Sequence, residues 1–302
     1  MKLFLWILVI FTINPSVIFP ANTVEDYFWN KILNSPFVEA EIEPVTFGDE
    51  LLLLDEFDLA LHELKRERIG SLNPEEIDYS IAICYMKLGR LDEAKRVLNR
   101  LMVSDYYDMR IIAGRLLGFI NITQKNYLAA QFEFKDLIGY TDELDFKAEW
   151  YYWLGWSYLL QYEFERADSQ FSQITKPEFQ SAHFYPSAYL ILKLLRSDID
   201  DINSKSPNLA KWLSTIIPGA GQIYLEDYIS GAVSFGLNAT FGYLTIASLV
   251  HSDYYQALIY YYFLWNRYYF GSGDNAYIKA IKYNESEKAE FIKSLMEAHL
   301  EW

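Results

Sequence analysis

The 302-residue sequence contains one cysteine, Cys84, so it can form no intramolecular disulfide and offers no multi-cysteine metal site. Its four histidines, His62, His183, His251 and His299, have no i, i+4 pairing, which leaves no histidine-based ligand spacing. Positive charge is scarce as well. Against 41 Asp and Glu stand 26 Lys and Arg, a formal charge of -15, and the basic residues form no run along the chain. Phosphate backbones bind basic faces, so nucleic acid is not an expected partner. Nor does the sequence pair a nucleophile with a base, set two acids together or build a phosphate cradle. Gly271-Ser272-Gly273-Asp274 lacks the strand-turn-helix context of a nucleophile elbow, and Asp200-Asp201 reads as solvated linker. No catalytic, cofactor-binding or metal residue is assigned, and the chain reads as a non-enzyme.

What is abundant is apolar and aromatic: 52% hydrophobic residues, with 25 Tyr, 20 Phe and 8 Trp, suited to helix packing and to a water-lipid boundary. Lys2 precedes an apolar run over residues 3–13 and an Asn14-Pro15-Ser16 break, the layout of an export signal over residues 1–21. Cleavage near Ala21 leaves Phe19 at the -3 position, so retention as an N-terminal anchor is the alternative. Residues 22–44 form an acidic segment. Carboxylates dominate from Glu25 to Glu76, and a solvated negative surface is expected there.

Residues 45–177 repeat. Ala82 and Ala94 stand twelve apart across a turn near Gly89, with Tyr85 between them; Gly118 and Ala130, then Gly155 and Ala167 with Tyr158, restore the spacing 36 and 37 residues further on. Gly48 and Ala60 fit the register 34 residues earlier, where Pro44 predicts a shortened first helix. Small residues at these positions let paired helices cross closely, while Leu64, Leu98, Phe134 and Phe171 fill the space between. By this register the segment resembles the tetratricopeptide repeat family in about four copies. The resemblance implies a right-handed superhelix whose concave face grips a peptide, a helix or a partner domain, and no reaction. Asn121 departs from the aromatic expected after Gly118, and the long spacing predicts extended loops over residues 105–109 and 140–146. Cys84, in mid-helix, reads as a buried apolar-like thiol. Over residues 178–204 a helix at 187–197 caps the stack, followed by a polar linker.

The composition then changes. Between residues 207 and 270 only Lys211, Glu226, Asp227, Asp253 and Arg267 are formally charged, and residues 229–250 carry none, enough to cross a hydrocarbon core of about 30 Å. With residues 254–270 this predicts a helical hairpin inside a membrane domain over residues 205–284. Ser234, Asn238 and Gly242, and likewise Ala232 and Gly236, recur every four residues, as packing faces for the hairpin or for self-association. Asn238 needs a partner in lipid. Ahead of the hairpin, residues 209–217 are too short to cross; Pro218 ends that helix, and Gly219 and Gly221 free the backbone before Gln222 and Tyr224. Pro218-Gly219-Ala220-Gly221-Gln222-Ile223-Tyr224 with Gly231 resembles the P-G-x-G-Q-x-Y signature of small bacterial membrane domains, distantly similar to TM2-type hairpins. Glu226-Asp227 replaces the glycine-containing turn usual in them. Gly271-Ser272-Gly273 reads as a hinge before a charged C-terminal helix that ends over residues 285–302.

The chain is thus read as all-α, a tetratricopeptide-like helical repeat solenoid followed by a small α-helical membrane domain. The expected function is a non-catalytic, membrane-tethered scaffold whose repeats bind a protein partner outside the cytoplasm, at a bacterial inner membrane with the repeats periplasmic. The alternative is an accessory factor for envelope protein transport or assembly in which the hairpin is the working part.

Overall fold

The computed structural model describes residues 24–33, 46–198 and 204–299; residues 1–23, with the expected export signal, and residues 34–45, 199–203 and 300–302 lie outside the described set. All regular structure among the described residues is helical. The chain divides into two compact units, Met1–Leu192 with Met296–Trp302, and Lys193–Leu295.

The first unit begins with α1 (Val24–Leu33), followed by four consecutive helix pairs: α2 (Phe47–Leu53) with α3 (Phe57–Glu67), α4 (Pro74–Lys87) with α5 (Leu91–Leu101), α6 (Tyr107–Thr123) with α7 (Tyr127–Tyr140), and α8 (Leu144–Leu160) with α9 (Phe164–Ile174). A 3-10 turn (Pro177–Phe179) and α10 (Tyr185–Asp198) follow. This is a repeat-like packing of consecutive helices. Helix α2 is short, and its N-terminus is closed by a capping box in which Thr46 and Asp49 satisfy each other's backbone N–H.

Each pair is joined by a three-residue turn whose middle residue lies in the left-handed region: Asp55, Gly89, Lys125 and Tyr162, with φ of 60, 69, 60 and 62°. The amide after each bonds back five residues, as in Arg90 N to Tyr85 O at 2.8 Å and Glu163 N to Tyr158 O at 2.9 Å, which satisfies carbonyls that the helix end would otherwise leave open. Only one of the four positions is glycine, so the turn is largely invisible to a search for glycine.

The pairs close where the sequence spacing predicts. A Cβ on Gly118 would lie 2.4 Å from Cζ of Phe134, one on Gly155 2.7 Å from Cζ of Phe171, and one on Gly48 2.6 Å from Cγ of Leu64. In each pair the filling residue comes sixteen positions after the small one, and Leu98 holds the same place after Ala82; both are fully buried. Ala60, Ala94, Ala130 and Ala167 are fully buried on the second helices.

Two expectations are corrected. The lengthened spacing is not spent in loops: residues 68–73, 102–106 and 141–143 connect successive pairs and grow shorter along the chain. The extra residues extend α6 and α8 to 17 residues each, against 14 in α4, because apolar residues continue along both. Nor is the acidic N-terminal segment simply solvated surface. Its residues 24–33 form α1, with Phe28 and Ile32 fully buried.

The second unit comprises α11 (Pro207–Ile216), the short α12 (Ala220–Tyr224), α13 (Tyr228–Val250) and a long arm made of α14 (Tyr254–Ile259), a π-helical turn (Tyr260–Trp265) and α15 (Asn266–His299). Pro207 opens α11 behind a Ser206 cap that accepts from Leu209 N at 3.3 Å, and Pro218 stops it. Helix α13 is long and apolar enough to cross a membrane. The hinge expected at Gly271-Ser272-Gly273 is absent: all three residues lie inside α15, where Ser272 is held by the Gly219 backbone N–H and the Ser234 side chain. The second arm of the hairpin therefore does not end at residue 270.

Candidate binding surfaces

Within the first unit the first helices of successive pairs share a face, and α1 lies on it. Phe28 sets its ring edge-on to Phe119 of α6 and Trp153 of α8, both at 6.2 Å, and Lys87 at the end of α4 donates to the Leu33 carbonyl at 2.7 Å. Behind Phe28 the aromatic core continues through Phe119 and Trp153 at 4.7 Å, Tyr152 and Phe171 at 5.9 Å, and Tyr152 and Phe184 at 4.8 Å. A helix of this same chain thus lies on the face that α6 and α8 share. The sequence signal for α1 is Val24, Phe28 and Ile32 at four-residue intervals, hidden by the surrounding carboxylates.

Beneath this face runs an ion pair that the sequence did not reveal. Arg115 of α6 and Glu149 of α8 meet at 2.8 Å with both side chains buried, and Trp153 Nε1 donates to the same carboxylate at 3.3 Å. A buried charge is costly without its partner, so the pair fixes the register of two first helices rather than presenting a reactive group.

The repeat signature residues are packed within and between the helix pairs. Tyr85 is flanked by Lys65 and Arg90, each 5.0 Å from the ring, and Tyr158 by Lys135 at 5.7 Å and Arg166 at 5.9 Å. Where Asn121 replaces the aromatic, Lys95 donates to its side-chain oxygen at 2.7 Å. A cation from the preceding second helix thus meets each of these positions, by cation–π attraction or by hydrogen bond. Cys84 is fully buried, and burial pushes its thiol up to about 12, which removes the reactive thiolate at neutral pH.

A second surface, missed in sequence because its residues come from three helices, is an open cleft of about 540 Å³ along α3, α4 and α5. Lys65, Arg68, Arg96 and Arg100 line it, over a floor of Ile81, Tyr85 and Val97. Asp78 at its base is buried and binds Arg68 through two bonds of 2.6 and 2.9 Å and Arg100 through one of 3.2 Å. The bond to Asp78 raises the Arg68 pKa further, so that charge is permanent.

In the second unit the glycine motif forms one hydrogen-bonded knot. Gly219 has φ of 95°, and a Cβ there would lie 2.2 Å from the Gly231 carbonyl oxygen; a Cβ on Gly221 would lie 2.0 Å from the Ala210 carbonyl oxygen. Only glycine permits both approaches. Ser214 Oγ donates to Gln222 Oε1 at 2.8 Å and accepts from Gly221 N at 2.9 Å, while Gln222 Nε2 donates to the Ser272 carbonyl at 3.1 Å. Ser272 Oγ accepts from Gly219 N at 3.2 Å and lies 2.7 Å from Ser234 Oγ. The supposed hinge residue therefore joins α12, α13 and α15. Tyr224 packs against Ala210, Leu225, Ala276 and Ala280, and its hydroxyl accepts from Ser206 N at 3.1 Å.

Helix α13 turns Gly231, Asn238, Gly242, Thr245 and Ser248 inward and leaves Ile229, Val233, Phe235, Tyr243, Ile246 and Leu249 exposed. Asn238 finds its partners within the hairpin: Nδ2 donates to the carbonyls of Ser234 at 2.9 Å and Tyr268 at 3.4 Å, while Oδ1 is buried without a partner among the described residues. Glu226 and Asp227 explain the missing glycine. Glu226 takes the left-handed position itself, with φ of 65°, and pairs with Lys205 at 3.2 Å. Asp227 caps α13 through Ser230 N at 3.1 Å and pairs with Lys279. Asp274 pairs with Lys211 at 2.8 Å. Among the described residues no three His, Cys, Asp or Glu side chains converge as a metal site requires.

No family model matches this chain, and no curated protein matches it.

Proposed function

We propose that the protein is a non-catalytic, membrane-tethered scaffold: a tetratricopeptide-like solenoid that binds a protein partner, carried on a small helical membrane domain of the cell envelope. The inverted burial of α13 carries the tether. Its small and polar residues face the hairpin while its large apolar residues face outward, which suits hydrocarbon and would be costly in water. The in-register helix pairs support the binding role, since such stacks display long side-chain surfaces and no chemistry. With the first-helix face filled by α1, the partner docks elsewhere on the first unit. Gly236 on the outer face of α13 has open space around it, which leaves room for self-association in the bilayer.

The export signal places the repeats outside the cytoplasm, and at a bacterial inner membrane this means the periplasm. The test uses the full chain in its native membrane. It should resist carbonate extraction, and photocrosslinkers placed on the first unit should capture one recurrent protein; extraction by carbonate, or a random crosslinking background, overturns the reading.

A second reading, an accessory factor for envelope transport or assembly with the hairpin at work, is favoured by one observation. The knot of Ser214, Gln222, Ser234 and Ser272 is more elaborate than anchoring demands. Full activity after exchange of the domain for an unrelated anchor removes this version.

A further inference from the structure

The cleft along α3, α4 and α5 has a rim and a floor of opposite character. Four cations surround an apolar floor, and only two carboxylates, Asp78 and Glu93, share the lining. Asp78 is consumed in holding Arg68 and Arg100 side by side, and Glu93 is bound by Arg90 at 2.9 Å. Lys65 and Arg96 stand exposed. In a chain of charge -15 this concentration of cations is set against the overall field.

The loops that follow Arg68 and Arg100 add a second element. They project Ile69 and Leu72, 84% and 98% exposed, and one repeat later Val103 and Tyr106, 81% and 62% exposed. Large apolar side chains at matching places in adjacent loops form a surface that water does not favour.

We infer that this cleft and its two loops are the docking surface for an acidic segment of a partner protein, one whose apolar side chains meet the loops and the floor while its carboxylates meet Lys65, Arg68, Arg96 and Arg100. The inference rests on the scaffold reading and gives it a partner chemistry. A short acidic segment feels the local cations within a Debye length of about 8 Å, whereas a nucleic acid extending beyond the cleft meets the negative remainder of the protein. The site differs from the first-helix face: second helices and inter-pair loops supply its cations, and α1 does not enter its lining.

The full chain in detergent micelles is titrated with a fluorescent peptide of alternating Leu and Asp/Glu, read by anisotropy. Its Asn/Gln counterpart, an oligothymidine and inorganic phosphate serve as competitors. Lys65→Glu with Arg96→Glu should weaken the acidic peptide at least about tenfold while the fold is kept, since neither residue holds Asp78, with no more than the small loss of melting temperature that the Lys65–Tyr85 contact carries. Raising the salt from about 50 to about 200 mM should weaken it further. No binding, equal binding by the double variant or the amide peptide, or full displacement by oligothymidine or phosphate overturns the assignment. If the peptide fails while crosslinkers elsewhere on the first unit still capture a partner, the cleft is wrong and the scaffold stands; if those fail as well, both fall.

Discussion

The two units of this protein are packed from opposite materials. The first buries Trp150, Tyr152, Trp153, Trp156, Phe119 and Phe171 and keeps most of its charge outside; the second buries mostly alanines, glycines, serines and an asparagine, with Leu225, Ile292 and Leu295, and leaves Phe235, Tyr243, Tyr255 and Phe263 exposed. Yet both use one turn. Glu226 and Ser252 take left-handed φ of 65 and 62°, and Asp227 N and Asp253 N bond back five residues, as at Asp55, Gly89, Lys125 and Tyr162. The backbone device is shared because closing a helix end is a local problem in any solvent. On the proposed membrane tether the side chains differ because water rewards burying large apolar surface, whereas hydrocarbon gives no such reward and close approach of small residues holds helices together.

The sharpest way to break this comparison is at its glycines. Gly221→Ala places a methyl against the Ala210 backbone, which cannot rotate away, so the second unit should lose its native packing; residues 205–295 should become protease-sensitive while the first unit stays resistant. Gly236→Ala, with open space around it, should be silent in the same assay. A smaller effect is expected from Glu149→Leu, which strands Arg115 in the first unit and should cost about 3–5 kcal/mol in a urea titration followed by tryptophan fluorescence. Adding Arg115→Met should restore most of that loss. Smaller again, Gly118→Ala meets a side chain rather than a backbone, so it should cost about 1–3 kcal/mol and be relieved by Phe134→Leu in the same titration.

The smallest effect is electrostatic and confined to the second unit. Burial pushes the Asp227 carboxyl up, but bonds from Lys279 and Ser230 outweigh it and hold the group below its ordinary 3.8. A depressed carboxyl stabilises the fold fully above that value and loses its contribution as pH falls through the lower, folded one. Asp227→Asn should therefore lower the stability of the second unit slightly at neutral pH, and the difference from the unsubstituted chain should close as pH falls through the folded value.

Much of this architecture was legible because it is periodic. Gly48, Gly118 and Gly155 each demand a close neighbour, and Leu64, Phe134 and Phe171 stand at the one spacing that supplies it. Pro218, Gly219 and Gly221 announced a helix end and an unusual backbone for reasons of geometry, and Cys84 a buried thiol. Other features were hidden because they are distant or disguised. Arg115 and Glu149 lie one repeat apart with nothing local to join them. Ser272, between two glycines, has the composition of a hinge and is held helical by Gly219 and Ser234 from other helices. Helix α1 is wrapped in carboxylates that outweigh Phe28 and Ile32 in any local average.

The sequence by itself determined the paired helices, the stop at Pro218 and which small residues must touch, since propensity, capping and steric contact act within a few tens of residues. Only the tertiary structure decided that α1 fills the first-helix face and that Lys65, Arg68, Arg96 and Arg100 share one cleft. Both outcomes depend on side chains meeting across helices, and in the sequence those cations are scattered over 36 residues of a strongly acidic chain.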